Sequence, residues 1–157
     1  MEDIINKKNH CLVETYKHVK RVQYYLNLFV KDLISRGENH DNSKFEDPEL
    51  SIFAEHTPEL DKVEYGSSEY KELLNKVKPA IDHHYSKNRH HTEHWARGIE
   101  DMSLIDLIEM LADWRAATER NKNGNIRKSI DINSAKYNMS PQLRTIFENT
   151  VREYFKE

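Results

Sequence analysis

An all-α fold is the class this sequence predicts, and three observations predict it. Only four glycines and four prolines occur in 157 residues, few for a chain of short strands and tight turns. Apolar side chains recur at three- and four-residue steps over long stretches. Alternation of apolar and polar residues is confined to Ile126 to Ile132, where a loop or helix is expected over a short strand. The expectation is a single domain over residues 1–157, with five or six helices and essentially no sheet.

Each element has its own signal along the chain. Leu12 to Ser35 reads as a long helix, because Val19, Val22, Leu26, Phe29 and Leu33 keep helical spacing. Gly37 suits its stop. His40 to Lys44 is a loop or the start of the next helix. A helix from about Asp47 to His56 has Asp47 as N-cap and Pro48 in its first turn. Thr57-Pro58 and Tyr65-Gly66 punctuate the next region. Ser67 to Lys87 carries Tyr70, Leu73, Leu74, Val77 and Ile81, with a kink expected at Pro79. Asn88 to Glu100 is irregular. Ser103 to Asn121 is the clearest helix: Ser103 caps it, Asp106 places an acid in its first turn, and Leu104, Ile105, Ile108, Leu111 and Ala112 form the expected buried stripe. Asn123-Gly124-Asn125 ends it. Ser140-Pro141 opens a last helix with Leu143, Ile146, Phe147, Val151 and Tyr154 expected inward.

Composition narrows the partners. Hydrophobic residues make up 37% and charged residues 32%, which permits one core. A net charge of -3 argues against a duplex nucleic-acid surface, which shows as a basic excess. The single cysteine, Cys11, leaves no intrachain disulfide and no thiolate zinc site. The start, Met1 to Asn6, lacks a basic segment followed by an apolar run, so no signal peptide is expected. No apolar run nears the ~20 residues of a membrane span. A cytoplasmic setting is the expectation.

Nine histidines stand in the chain, and one is followed directly by an aspartate: His40-Asp41. Neighbouring His and Asp side chains offer one cation a nitrogen and an oxygen. The bland alternative is a turn, which Asn, Asp and Ser favour. His18 lines up with Val22, Tyr25 and Phe29, and a core histidine with one satisfied hydrogen bond is its ordinary reading. Asp106, Glu109 and Asp113 share a helix face, which is usually solvated. Ala112, Ala116, Ala117 and Trp114 around Asp113 suggest a packed junction instead, where a carboxylate needs a partner.

Taken together, His18, His40-Asp41 and Asp113 resemble the HD-domain metal-dependent phosphohydrolase superfamily. The resemblance lies in Tyr16-Lys17-His18-Val19-Lys20-Arg21-Val22, His40-Asp41-Asn42-Ser43-Lys44 and Met110-Leu111-Ala112-Asp113, and covers about residues 12 to 120. The chain is also similar to an uncharacterised group of small helical phage proteins. The first resemblance implies an HD-like helical domain and a divalent cation held by His18, His40, Asp41 and Asp113. It further implies hydrolysis of a phosphate ester, with a bound water made acidic. Nitrogen and oxygen ligands suit Mn, Fe, Co, Ni or Zn better than Mg or Ca.

Within Asp82 to Trp95, the span from His83 to His94 holds five histidines in twelve residues. Some members of that superfamily use two further histidines for a second metal. His83 or His84, with one of His90, His91 and His94, would fill those places, and the spacing does not choose. One or two ions are therefore expected. The alternatives are a phosphate-binding lid with Lys87, Asn88 and Arg89, a general acid at His84 or His90, or a histidine-rich surface loop. Lys44, three residues after Asp41, is within reach of a metal-held phosphate; a solvated lysine is the common case. Arg115 suits bidentate phosphate binding and equally a pair with Glu109 or Glu119. Glu109 reads as a general base or as the acid that steadies a ligand histidine.

Three functions compete. The first is a metal-dependent phosphohydrolase acting on a nucleotide, either a phosphomonoester or a cyclic or linear phosphodiester; a phage role in degrading a host nucleotide signal is its refinement. The second is a metal-containing module that binds a nucleotide or protein without hydrolysis. The third is a helical interaction protein with no metal. A homodimer through the last helix is a further expectation.

Overall fold

The computed structural model describes residues 2–60, 62–63, 67–120 and 122–155. Among these it holds six α-helices, three 3₁₀ turns and no strand. The helices are α1 (Glu2–Asn39), α2 (Glu49–Leu60), α3 (Ser68–Lys87), α4 (Leu104–Glu119), α5 (Ile126–Lys136) and α6 (Pro141–Tyr154). The 3₁₀ turns are Asn42–Phe45, Thr92–His94 and Gly98–Asp101. No helix in the described residues is long and apolar enough to cross a membrane. The chain divides into two units, Met1–Glu38 and Asn39–Glu157.

The first unit is α1. It runs well beyond Leu12–Ser35 at both ends, and Gly37 lies inside it rather than stopping it. One glycine costs a helix only about 1 kcal/mol, and Arg36, in the last turn, favours the C-terminal dipole. Ion pairs one turn apart line the helix: Lys7 with Asp3 at 2.7 Å and Lys17 with Glu14 at 2.7 Å.

In the second unit α2 packs against α3, α4 against α5, and α5 against α6. Helix α2 begins two residues after Asp47, whose carboxylate accepts from the Ser51 amide at 3.2 Å. It continues through Thr57 and Pro58, where punctuation was expected, because the missing proline N–H falls in the exposed last turn. Tyr65 and Gly66 lie outside the described residues, as does Asn121. Ser67 caps α3, its hydroxyl accepting from the Tyr70 amide at 3.0 Å. Leu73, Val77, Ala80 and His84 form the buried face of α3 at four- and three-residue steps. This stripe delivers a histidine to the interior at the helix's last turn.

Ser103 caps α4 through a reciprocal box: its hydroxyl accepts from the Asp106 amide, and the Asp106 carboxylate accepts from the Ser103 amide. The buried face of α4 is Asp106, Leu107, Met110 and Leu111. This corrects the expected stripe, since Leu104 is 77% exposed, Ile108 49% exposed, and Ala112 is exposed. Both stripes have helical period; the box and an Arg89 pair turn Asp106 inward and so choose between them. Ala116 and Ala117 are also exposed, so they mark no packed junction.

Asn125 caps α5, accepting from the Lys128 amide at 2.9 Å, and Ile126 to Ile132 is helical. Gly124 is required there: a Cβ would stand 1.8 Å from the Thr118 carbonyl oxygen. Ser140 and Pro141 open α6 as expected. Phe147 and Val151 are its buried residues, whereas Ile146 and Tyr154, expected inward, are exposed on its flanks. The core joins Leu107, Met110 and Leu111 of α4 to Ile126 and Ile130 of α5 and to Phe147 and Val151 of α6. Full burial of such side chains contributes roughly 1.5–3 kcal/mol each. Trp114 packs against this core, edge-on to Phe147 at 5.9 Å and stacked on Tyr137 at 6.4 Å.

Candidate metal centre

Five stretches of the second unit supply one polar cluster. His40 and Asp41 open it and lead into the Asn42–Phe45 turn. Glu49 stands at the start of α2, His83 and His84 in the last turn of α3, His90 and His91 in the following loop, and Glu109 and Asp113 one turn apart on α4. The Asp41 backbone is left-handed (φ 56°), a conformation that Asp and Asn tolerate better than most residues. His90 is 1% exposed and Glu49 0%, and His84 is buried with them, while His40, Asp41, His91 and Asp113 are half-buried.

Two carboxylates stand behind the histidine rings. The Glu49 carboxylate takes Nδ1 of His83 and Nδ1 of His84, each at 2.8 Å. Glu109 Oε1 takes His40 Nδ1 at 2.9 Å and lies 3.2 Å from His90 Nδ1. An ionised carboxylate only accepts, so each of these Nδ1 atoms carries the proton. In the neutral ring Nε2 is then a bare lone pair. Asn88 steadies the same corner, donating from Nδ2 to Ser43 Oγ and to the His84 carbonyl, both at 2.8 Å.

Those lone pairs converge. Asp41 Oδ1 lies 3.3 Å from His84 Nε2 and 3.5 Å from His90 Nε2, and His84 Nε2 lies 2.9 Å from His91 Nε2. One ligand atom from each of Asp41, His84, His90 and His91 falls within 4.8 Å of all the others. His40 Nε2 stands 3.6 Å from Asp41 Oδ2 and 3.7 Å from Asp113 Oδ1. Asp41 Oδ1 and His90 Nε2 are buried with no hydrogen-bond partner among the described residues. Buried acceptors without a donor are costly. A cation about 2.1 Å from each ligand would set neighbouring ligand atoms roughly 3.0–3.4 Å apart, close to the spacings found. The donor set therefore fits a transition metal.

The electrostatics agree. The Asp113 carboxylate at 3.7 Å and then Glu109 at 2.9 Å raise the His40 pKa to about 10 against the effect of burial. Burial pushes the Asp41 carboxyl up, but the His84 ring at 3.3 Å and the Lys44 ammonium at 2.6 Å outweigh it and hold the group well below the usual carboxylate range. For Asp113 burial again pushes up, and the neighbouring His40 ring brings the net shift down. Burial, then the neighbouring His90 and His84, lower the His91 pKa to about 4, which leaves its ring neutral at ordinary pH. The pocket thus gathers the Asp41 and Asp113 carboxylates and the neutral His91 ring around one point, with His40 held protonated by its acidic neighbours; a cation there would take the place of its Nε2 proton.

The structure brings His40, Asp41 and Asp113 together as the sequence suggested, and gathers His84 and His90 with them. His83 shares Glu49 with His84 and stands outside both the Asp41–His84–His90–His91 group and a second convergent group of His40, His90 and Glu109. Lys44 donates to Asp41 Oδ2 at 2.6 Å and stays 42% exposed. Glu109 lies behind His40 and His90. Arg89 holds the buried Asp106 through two 3.2 Å bonds and covers the Trp95 ring at 4.4 Å. Arg115 bonds Thr118 and pairs with Glu119 at 3.4 Å. Lys87 is exposed at the end of α3. His18 lies on α1, in the first unit, and is in neither group. Sequence reasoning left His91 as one of three options and missed Glu49, which looks like an ordinary acid in a helix's first turn.

No curated protein and no solved structure matches the chain. One family model does, over residues 7–153. The chain, whose paired carboxylates and converging imidazoles fall within that span, belongs to a family of unknown function (DUF5662).

Proposed function

We propose that this chain is a metal-dependent phosphohydrolase acting on a nucleotide, with a divalent transition metal held by Asp41, His84, His90 and His91 and, across Asp41, by His40 and Asp113. The single observation that carries the reading is the pair of buried, unpartnered ligand atoms, Asp41 Oδ1 and His90 Nε2, facing the Nε2 atoms of His84 and His91. When bound, such a metal supplies Lewis acidity toward a phosphoryl oxygen and lowers the pKa of a bound water.

The chain's own residues do the rest. Glu49 and Glu109 fix the ring tautomers and aim Nε2 inward. Lys44, half in solvent beside Asp41, exchanges its carboxylate for a phosphoryl oxygen when substrate arrives. Lys87 and the exposed edge of Arg89 add positive charge at the end of α3 and in the next loop. The test is a turnover panel of nucleoside monophosphates, cyclic nucleotides and linear dinucleotides with protein loaded with manganese, cobalt or zinc. Release of phosphate or opening of a diester, lost in Asp41→Asn, supports the reading; no turnover across the panel overturns it.

A second reading keeps the metal and drops the chemistry. Six side chains (His40, Asp41, His84, His90, His91 and Asp113) offer enough donors to close a coordination sphere, and closed sites are structural. It expects metal-dependent stability and a nucleotide or protein bound unaltered.

A further inference from the structure

The apolar residues of α1 keep a seven-residue step. Ile5, Leu12, Val19, Leu26 and Leu33 are spaced by seven without interruption. Placing them at position a of a heptad puts Thr15, Val22 and Phe29 at d. A straight helix drifts by ~20° per heptad against such a repeat, so a strict sevenfold spacing fits a second helix wound alongside. Tyr16, Tyr25 and Val30 widen the seam at e and g, while Lys7, Glu14, Lys17 and Arg21 fall at c and f on the back. There the Lys17–Glu14 ion pair already closes. The seam is exposed: Leu12 by 66%, Leu26 by 55% and Phe29 by 53%.

The charges at its ends select the occupant and its direction. Lys8 and Arg36 occupy the outer d positions. Arg36 is already held by Asp32 at 3.2 Å, but in a parallel, in-register pair Lys8 would face its own copy, and like charges repel. An antiparallel pair centred between Val19 and Val22 sets Val19 against Val22 of the second copy and Leu12 against Phe29 of the second copy. Lys8 then meets Leu33, so its stem lies over an apolar side chain. A half-exposed large side chain offers ~100 Å². The eight a and d residues, with the flanking tyrosines, bring this to the order of 800 Å² per partner, the area of a standard stable interface.

We infer that α1 pairs with α1 of a second copy as an antiparallel two-stranded coiled coil with Val19 facing Val22. The test uses sedimentation of the full chain, with Leu26→Glu on the seam and Leu28→Glu, equally apolar and on the opposite face, as control. The wild type and L28E sediment as dimers at low micromolar concentration, and L26E weakens dimerisation by at least ~100-fold, since each dimer loses two buried leucines. A spin label on the lone Cys11 reads direction. In the antiparallel pair Cys11 lies about 28 Å along the axis from its counterpart, nineteen residues at ~1.5 Å each. A monomeric wild type, or equal effects of L26E and L28E, overturns the interface. A Cys11 separation under ~15 Å overturns the antiparallel register.

Discussion

Helix α4 borders two regions of unlike chemistry. One side carries Leu107, Met110 and Leu111 into a core closed by α5 and α6; the other carries Glu109 and Asp113 into the His40–Asp41–His84–His90–His91 cluster. The core is complete without a ligand, because apolar burial needs no partner beyond close packing. The cluster, on the reading proposed above, is completed by a metal. It holds carboxylates, imidazoles and two buried atoms without hydrogen bonds, and polar groups in that condition destabilise a fold unless something neutralises them. Burial alone therefore does not mark a structural residue. His90 and Ile130 are equally hidden, yet only Ile130 has everything it needs from the protein.

The two regions separate most sharply on mutation. Phe147→Ala opens the core and is expected to cost about 3–5 kcal/mol, seen as a lowered denaturation midpoint, while folded protein keeps its full metal content. Removing metal acts on the cluster alone. Saturating metal at a thousandfold excess over Kd stabilises by about 4 kcal/mol, so chelator should lower Tm in the wild type and in F147A by similar amounts, and should not move Asp41→Asn. Equal chelator shifts in Asp41→Asn and wild type would sink the assignment of Asp41 as a ligand.

A finer cut tests the carboxylates behind the rings. Glu49→Gln keeps the size of a residue that touches both His83 and His84 but weakens the hold on their Nδ1 protons. Metal affinity should fall by about 10- to 100-fold, read by competition with a chromogenic chelator, with the apolar core unchanged by near-ultraviolet dichroism of Trp114. The smallest effect lies outside both regions. Lys136 and Tyr137 meet Glu93 at 3.1 and 3.2 Å on the surface. Burial pushes the Glu93 carboxyl up, but its backbone hydrogen bond and Lys136 bring it below the usual range. Its contribution is therefore present above the ordinary glutamate range and is lost as pH falls through the lowered value. Lys136→Met should cost under about 1 kcal/mol at neutral pH, a difference that vanishes in acid.

The helices were legible where local chemistry decides. Ser103 and Ser140 announce their caps, and Pro141 its first turn, through bonds made within three residues. Helix faces were less so. On α4, Leu104–Ile108–Leu111 and Leu107–Met110–Leu111 are both helical stripes, and only the distant Arg89, holding Asp106 inward, separates them. The site divides the same way. His40 and Asp41 are neighbours in sequence and stood out. The tract from His83 to His94 was visibly unusual, but the choice of His84, His90 and His91 depends on the turn after α3. Glu49 becomes meaningful only when α2 packs on α3 and brings it 35 residues forward to His84.

Everything proposed for the cluster rests on one point: buried Asp41 Oδ1 and His90 Nε2 lack partners because a metal is their partner. Elemental analysis of protein purified without a histidine tag or chelator addresses it without any assay of activity. Asp41→Asn is the companion sample, since it retains the side-chain shape and the tolerance for a left-handed backbone. The wild type should carry one or two equivalents of a transition metal and the variant little. An absence of metal from the wild type, even after reloading with manganese, cobalt and zinc, would contradict the assignment.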